Sequence, residues 1–116
     1  MFIALIVVCA VLGAIALGSA AGKLTSNPKI VESLTGVGVT EAQTRILAIL
    51  EILGAAGLFV GIWVPALGIA AAVGLSLYFL GAVAAHLRVH DPVARWAPAA
   101  VLALLAVAAT VLQIQR

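Results

Sequence analysis

The chain has 116 residues, of which 66% are hydrophobic and 9% charged, with a formal net charge of +2. Its mean hydropathy of +1.32 leaves too few polar side chains to clothe a water-facing exterior. A soluble domain is excluded, and one integral membrane domain over residues 1–116 is expected. The cations are scattered near the ends of apolar stretches, without the basic run that nucleic acid binding requires. The single cysteine, Cys9, can form neither an internal disulfide nor a dithiol redox pair, and it reads as a small buried apolar residue.

Phe2 to Gly22 is an unbroken apolar run. About 21 residues make a helix of roughly 31 Å, the thickness of the hydrocarbon core. Gly18-Ser-Ala20 has the small residues of a signal-peptide cleavage site, but no basic segment precedes the run and the run is too long. It is therefore expected to be a retained first span, with Ser19 and Lys23 four apart on one face at its exit. Ser26 or Asn27 can then cap a short helix that has Pro28 at its first position and is ended by Gly36 and Gly38. Ile30, Val31 and Leu34 share one face of this segment, which suits it to the membrane interface. Thr40-Glu-Ala-Gln43 has the spacing of a capping box and opens a second span over about residues 41–61.

That second span carries Glu51 about ten residues inside it. A charge near the bilayer centre costs roughly 2.5–3.5 kcal/mol on insertion scales, so such an acid is paired, protonated or faces a polar cavity. Seven-residue spacing places Thr44, Glu51 and Leu58 on one stripe, with Ala48 and Ala55 between them. Gly54, Gly57 and Gly61 let neighbouring backbones approach closely. Arg45 lies on another face of the same helix and is not expected to pair with Glu51. Trp63 suits an interface, and Pro65 suits the start of a third span over about residues 66–85. The exit of that span gathers His86, Arg88, His90 and Asp91 within six residues. Asp91 can cap the next helix with Pro92 at its first position, and a fourth span covers about residues 97–114, with Pro98 early enough to be tolerated.

The expected fold is all-α, an integral membrane four-helix bundle with a short interfacial helix between spans 1 and 2. Lys23, Lys29, Arg45, Arg88 and Arg95 belong to the two long connections, while Arg116 lies opposite. The positive-inside rule then places the long connections in the cytoplasm and both termini outside, in the plasma (inner) membrane. Antiparallel connectivity brings Lys23, Glu51, His86 and Arg88 into the same half of the bundle. Together they can form a polar pocket closed by small apolar residues. Glu51 and His86 are the pair suited to proton exchange near neutral pH, because histidine titrates there. Alternatively, Glu51 accepts hydrogen bonds from Arg88 or Lys23 and does no more than set helix register. Histidine at a helix exit is more often an interfacial group than a ligand, and the two histidines and few carboxylates have no zinc or iron spacing, so no metal site is expected.

Ser19 through Lys23-Leu24, Glu51 with Gly54, Gly57 and Gly61, Pro65 with Leu67-Gly68, Ala71-Ala72 with Gly74-Leu75, and His86-Leu-Arg88 resemble, in order and spacing, the DoxX-like family of small bacterial membrane proteins. The resemblance covers essentially the whole chain. It implies a four-helix membrane bundle and points to Glu51, His86 and Arg88, with Lys23, as recurring polar positions. The family takes its name from relatives of a subunit of a thiosulfate to quinone oxidoreductase. This chain has no second cysteine and no evident haem or flavin site, so no cofactor is assigned and its standing as an enzyme is left open.

Two functions follow as expectations. In the first, a quinone-like or other small lipophilic ligand enters between the helices and sets its polar head against Glu51, His86 and Arg88, with any redox link proton-coupled at most. In the alternative, the chain is a non-catalytic accessory subunit that docks on a larger membrane complex, or on its own copies, through glycine and alanine faces. A proton-coupled transporter fits less well, because four spans without inverted internal symmetry are few for that task.

Overall fold

A computed structural model describes residues 2–116. Five helices follow one another: α1 (Phe2–Leu24), α2 (Pro28–Gly36), α3 (Glu41–Val60), α4 (Pro65–Arg88) and α5 (Val93–Gln115). The fold is all-α, with α1, α3, α4 and α5 each long and apolar enough to cross a membrane. The protein therefore spans a lipid bilayer four times. A helix of 23 residues is about 34 Å long, and the longest dimension of the molecule is 39 Å, so the four spans run along that axis.

Local chemistry sets most helix boundaries. The Asn27 side chain accepts a hydrogen bond from the Lys29 amide at 3.1 Å, with Pro28 in the first turn of α2. At α3 the Gln43 amide donates to Thr40 Oγ1 at 3.2 Å while the Thr40 amide donates to Gln43 Oε1 at 3.0 Å, completing the expected capping box. Three connections leave their helix through one residue in the left-handed region, Ser26 (φ 56°), Gly38 (φ 86°) and His90 (φ 57°). In each case the next amide reaches back five residues, from Asn27 to Gly22 O, Val39 to Leu34 O and Asp91 to His86 O, which satisfies carbonyls that the helix end would strand.

Two boundaries differ from the sequence reading. Helix α4 continues to Arg88, because nothing between Gly81 and Arg88 breaks a helix. Helix α5 begins at Val93 with Pro92 as its cap residue and no side-chain cap bond, so Asp91 is not its cap and Pro98 falls inside it. The Asp91 carboxylate is engaged by His86 instead.

In cross-section α1 packs against α3 and α5, and α4 packs against the same two helices. The core between them is built largely of small residues, including Ala16, Ala55, Ala72 and Ala106, with Leu12 and Leu58 among the fully buried larger ones. Bulky apolar side chains such as Ile3, Leu53, Leu77 and Leu104 point outward. This inverted distribution suits lipid, where association depends on close backbone packing. A Cβ at Gly57 would lie 2.8 Å from Ala71 Cβ, and one at Gly61 would run into the backbone of Gly68. The glycines of α3 therefore serve the α3–α4 contact expected of them.

The end of the bundle opposite α2 is closed by Arg116, which the sequence placed at that end, and by Gln113, to which it drew no attention. Arg116 donates to Gly61 O at 2.9 Å and to Ile62 O at 2.7 Å, satisfying carbonyls at the end of α3. It also donates to Gln113 Oε1 at 2.9 Å. Gln113 is buried, faces Gly68, and lies with its Nε2 3.8 Å from the buried Cys9 Sγ.

Candidate functional site

The stripe read from α3 is buried along its length: Thr44, Ala48, Glu51, Ala55 and Leu58 all face inward. Glu51 is 0% exposed. An isolated carboxylate there would be very costly, and the last turns of α1 supply its partners. Lys23 Nζ lies 2.5 Å from Glu51 Oε1 and 2.8 Å from Ser19 Oγ, while Ser19 Oγ donates to the same Glu51 oxygen at 3.4 Å. The spacing of four residues that puts Ser19 and Lys23 on one face lets both reach a single carboxylate. Lys23 is itself buried, so the pair is shielded from solvent and lipid.

All of these bonds end on Oε1. Glu51 Oε2 is buried and has no hydrogen-bond partner. Tyr78 of α4 lies on the same side of the bundle as this pair, with Lys23 Nζ 6.0 Å from the Tyr78 ring centroid. An edge-to-face contact with Phe79, 4.9 Å between centroids at 79°, helps fix the Tyr78 ring.

Ser19, Lys23 and Tyr78 form the inner wall of a cavity of about 960 Å³. Glu51 lies behind them. Leu77, Phe79, Ala82 and Leu102 supply apolar walls from α4 and α5, and α2 lies across the mouth with Lys29, Ile30 and Leu34. His86 also lines the cavity, nearer the mouth. Its Nδ1 is 2.6 Å from Asp91 Oδ2, and the Asp91 side chain is 12% exposed. Arg95 Nη1 lies 3.9 Å from Asp91 Oδ1, and Arg95 Nη2 lies 3.0 Å from Glu32 Oε1. A chain of charges therefore runs from the cavity wall on α4 through the loop to α5 and out to the interfacial helix.

Two of the four sequence candidates, Lys23 and His86, line this cavity, and a third, Glu51, is bonded to Lys23 behind the wall; the three fall in two separate groups. Lys23 and Glu51 form the inner group with Ser19, whereas His86 belongs to the outer group with Asp91. The structure does not pair Glu51 with His86 directly. Arg88 is exposed at the end of α4 and forms no salt bridge among the described residues. No cluster of three or more His, Cys, Asp or Glu suited to a metal ion occurs among the described residues.

A model of the DoxX-like family matches residues 7–109. The chain belongs to the DoxX-like family. No curated protein matches it, and no solved structure does. The matched region of this DoxX-like chain contains both groups at the cavity and all but the last few residues of the fourth span.

Sequence reasoning passed over Tyr78, Arg95 and Gln113 in this DoxX-like chain. Tyr78 had a usable signal, being the sole tyrosine of the sequence and set in an otherwise apolar span. A phenol in hydrocarbon needs a polar neighbour. Arg95 was counted only among the cations of the long connections, because its ion pair with Glu32 joins residues 63 positions apart that only the docking of α2 brings together.

Proposed function

We propose that this DoxX-like protein binds a small lipophilic molecule, quinone-like in size and polarity, in the cavity between α1, α4 and α5. The observation that carries this reading is the cavity itself. At about 960 Å³ it lies within the range of small-molecule sites, and it has their character of apolar walls with a few convergent polar groups. The polar head is directed to the Lys23–Glu51 pair and to His86. Arg88, exposed at the same end, adds positive field at the mouth. Any redox link of the ligand is served by holding it and by moving protons at its head, where His86 is suited to the task. The loops that carry most of the cations face the cytoplasm under the positive-inside rule.

The test is mass spectrometry of the protein extracted gently from its native membrane, detecting bound small molecules and co-purifying proteins in one sample. A stoichiometric lipophile that is lost from a folded Glu51→Gln variant is the expected result. A reproducible protein partner with no lipophile would overturn it and favour an accessory subunit. One observation speaks for that second reading. Gly18 and Gly74 have nothing within 4 Å of the position of a Cβ, so helix surfaces with small residues are left without a protein neighbour.

A further inference from the structure

We propose that α2 is a strap across the lateral gap between α1 and α5, latched to α5 by the ion pair of Arg95 with Glu32, and that release of this latch opens the cavity at the membrane interface. The proposal concerns access to the cavity and is independent of what the cavity binds.

The packing of the bundle leaves that gap. At the Arg116 end α1 and α5 touch, with Gln113 on the buried Cys9. Toward the other end the cavity lies between them, with Ser19 and Lys23 in its wall from α1 and Arg95, Pro98 and Leu102 from α5. Helix α2 crosses this opening, and its half-buried residues Ile30, Ser33 and Leu34 line the cavity. It is the one described helix with no buried residue, so little packing holds it down. On the α1 side, Ile30 sits over Gly22, close to the connection between the two helices. On the α5 side, a single side-chain hydrogen bond joins α2 to another helix among the described residues, from Arg95 Nη2 to Glu32 Oε1 at 3.0 Å. A Cβ at Gly36 would lie 3.0 Å from Arg95 Nη1. The guanidinium therefore rests along the last turn of α2, where the helix dipole also favours a cation.

Three features make this tie releasable. The Glu32 side chain is 73% exposed and that of Arg95 32%, and an ion pair so placed is weak and screened by salt. Each connection of α2 passes through one residue in the left-handed region, Ser26 before it and Gly38 after it. Such short turns are where a chain absorbs the dihedral change of a hinge. An amphipathic helix released at the interface also keeps Ile30, Val31 and Leu34 against acyl chains, so opening does not turn them into water. With few buried contacts to break, α2 belongs to the part of the fold that opens at least cost. Arg95 keeps a partner when the strap lifts, because Asp91 Oδ1 lies 3.9 Å from its Nη1. The latch therefore parts between α2 and α5 and leaves the guanidinium on the α5 side.

The test places a thiol behind the strap. Leu102 is 6% exposed in the cavity wall, and the rate at which Leu102→Cys reacts with N-ethylmaleimide is measured on the full chain in lipid nanodiscs. Removing the ion pair with little change of side-chain length, by Glu32→Met or by Arg95→Met, is expected to raise that rate at least about threefold, the size an exposed ion pair supports. The double variant is expected to react no faster than the faster single one, because both substitutions release the same tie. The native Cys9, buried beyond the cavity, is the control, and its own rate in chains without Leu102→Cys should not change. An unaltered rate for Leu102→Cys in the two single variants overturns the latch. So do rates that multiply in the double variant, since the two residues then act separately. A parallel rise at Cys9 overturns the strap as well, by showing a bundle loosened throughout. Should Leu102→Cys fail to fold, Ala99→Cys, a smaller change in the same wall, carries the same comparison. No ligand enters the assay, so its failure leaves the ligand-binding reading standing.

Discussion

Lys23 and Glu51 show how far one residue's environment depends on its partner. Replacing Lys23 by Met keeps much of the side-chain volume and removes the charge, which leaves the carboxylate buried and unpaired. Breaking a buried pair from one side typically costs about 3–5 kcal/mol, whereas replacing both members by apolar residues is often neutral or stabilising. Thermal unfolding in detergent should therefore show a large loss for Lys23→Met and recovery in the double variant Lys23→Met/Glu51→Leu. Recovery of stability without recovery of ligand binding would separate a binding role from a purely structural one. The partner of Glu51 was legible only as a choice. Both Lys23 and Arg88 stand at the correct end of the bundle, and the selection was made when α1 packed against α3 while Arg88 was left exposed at the end of α4.

At the level of the helices, close packing and end closure make distinct demands. Gly61→Leu should destabilise the fold strongly, because even a Cβ at that position meets the Gly68 backbone, and overpacking typically costs about 1–3 kcal/mol or more. Gly74→Ala should be neutral or stabilising by up to about 1 kcal/mol, since its Cβ meets nothing within 4 Å and glycine is a poor helix former. Comparing the two thermal midpoints under one set of conditions checks both. The left-handed closures make a third case. His90 is exposed at φ 57°, where glycine has no steric penalty, so His90→Gly should raise stability by roughly 1 kcal/mol. A fall in midpoint would show that the imidazole contributes contacts that outweigh its backbone strain. The capping box of α3 was readable from Thr40 and Gln43 because its bonds span three residues. The fate of Asp91 was not, because a carboxylate between a helix end and a helix start has two local uses, and the inward placement of His86 selected one.

For the whole molecule, the orientation proposed from the cation-rich connections can be measured directly. A cysteine introduced in place of Lys29, on the exposed side of α2, should react with a membrane-impermeant maleimide only after the cell is opened. One at Trp63, 78% exposed at the opposite end, should react in intact cells. The native Cys9 is 0% exposed and gives little background. The reverse pattern would place α2 and the cavity mouth outside. The sequence by itself determined that the chain spans the membrane four times, that Thr40 and Gln43 open the second span, and that Glu51 must find a partner, because hydropathy, capping and the cost of a charge in hydrocarbon are local properties. Tertiary structure alone decided that the partner is Lys23, that Oε2 of Glu51 is left without a hydrogen-bond partner, that His86 turns to Asp91, and that α2 covers a cavity of about 960 Å³. Those outcomes depend on the rotation and depth at which one helix meets another, and the van der Waals packing that fixes both is shared among residues far apart in the chain.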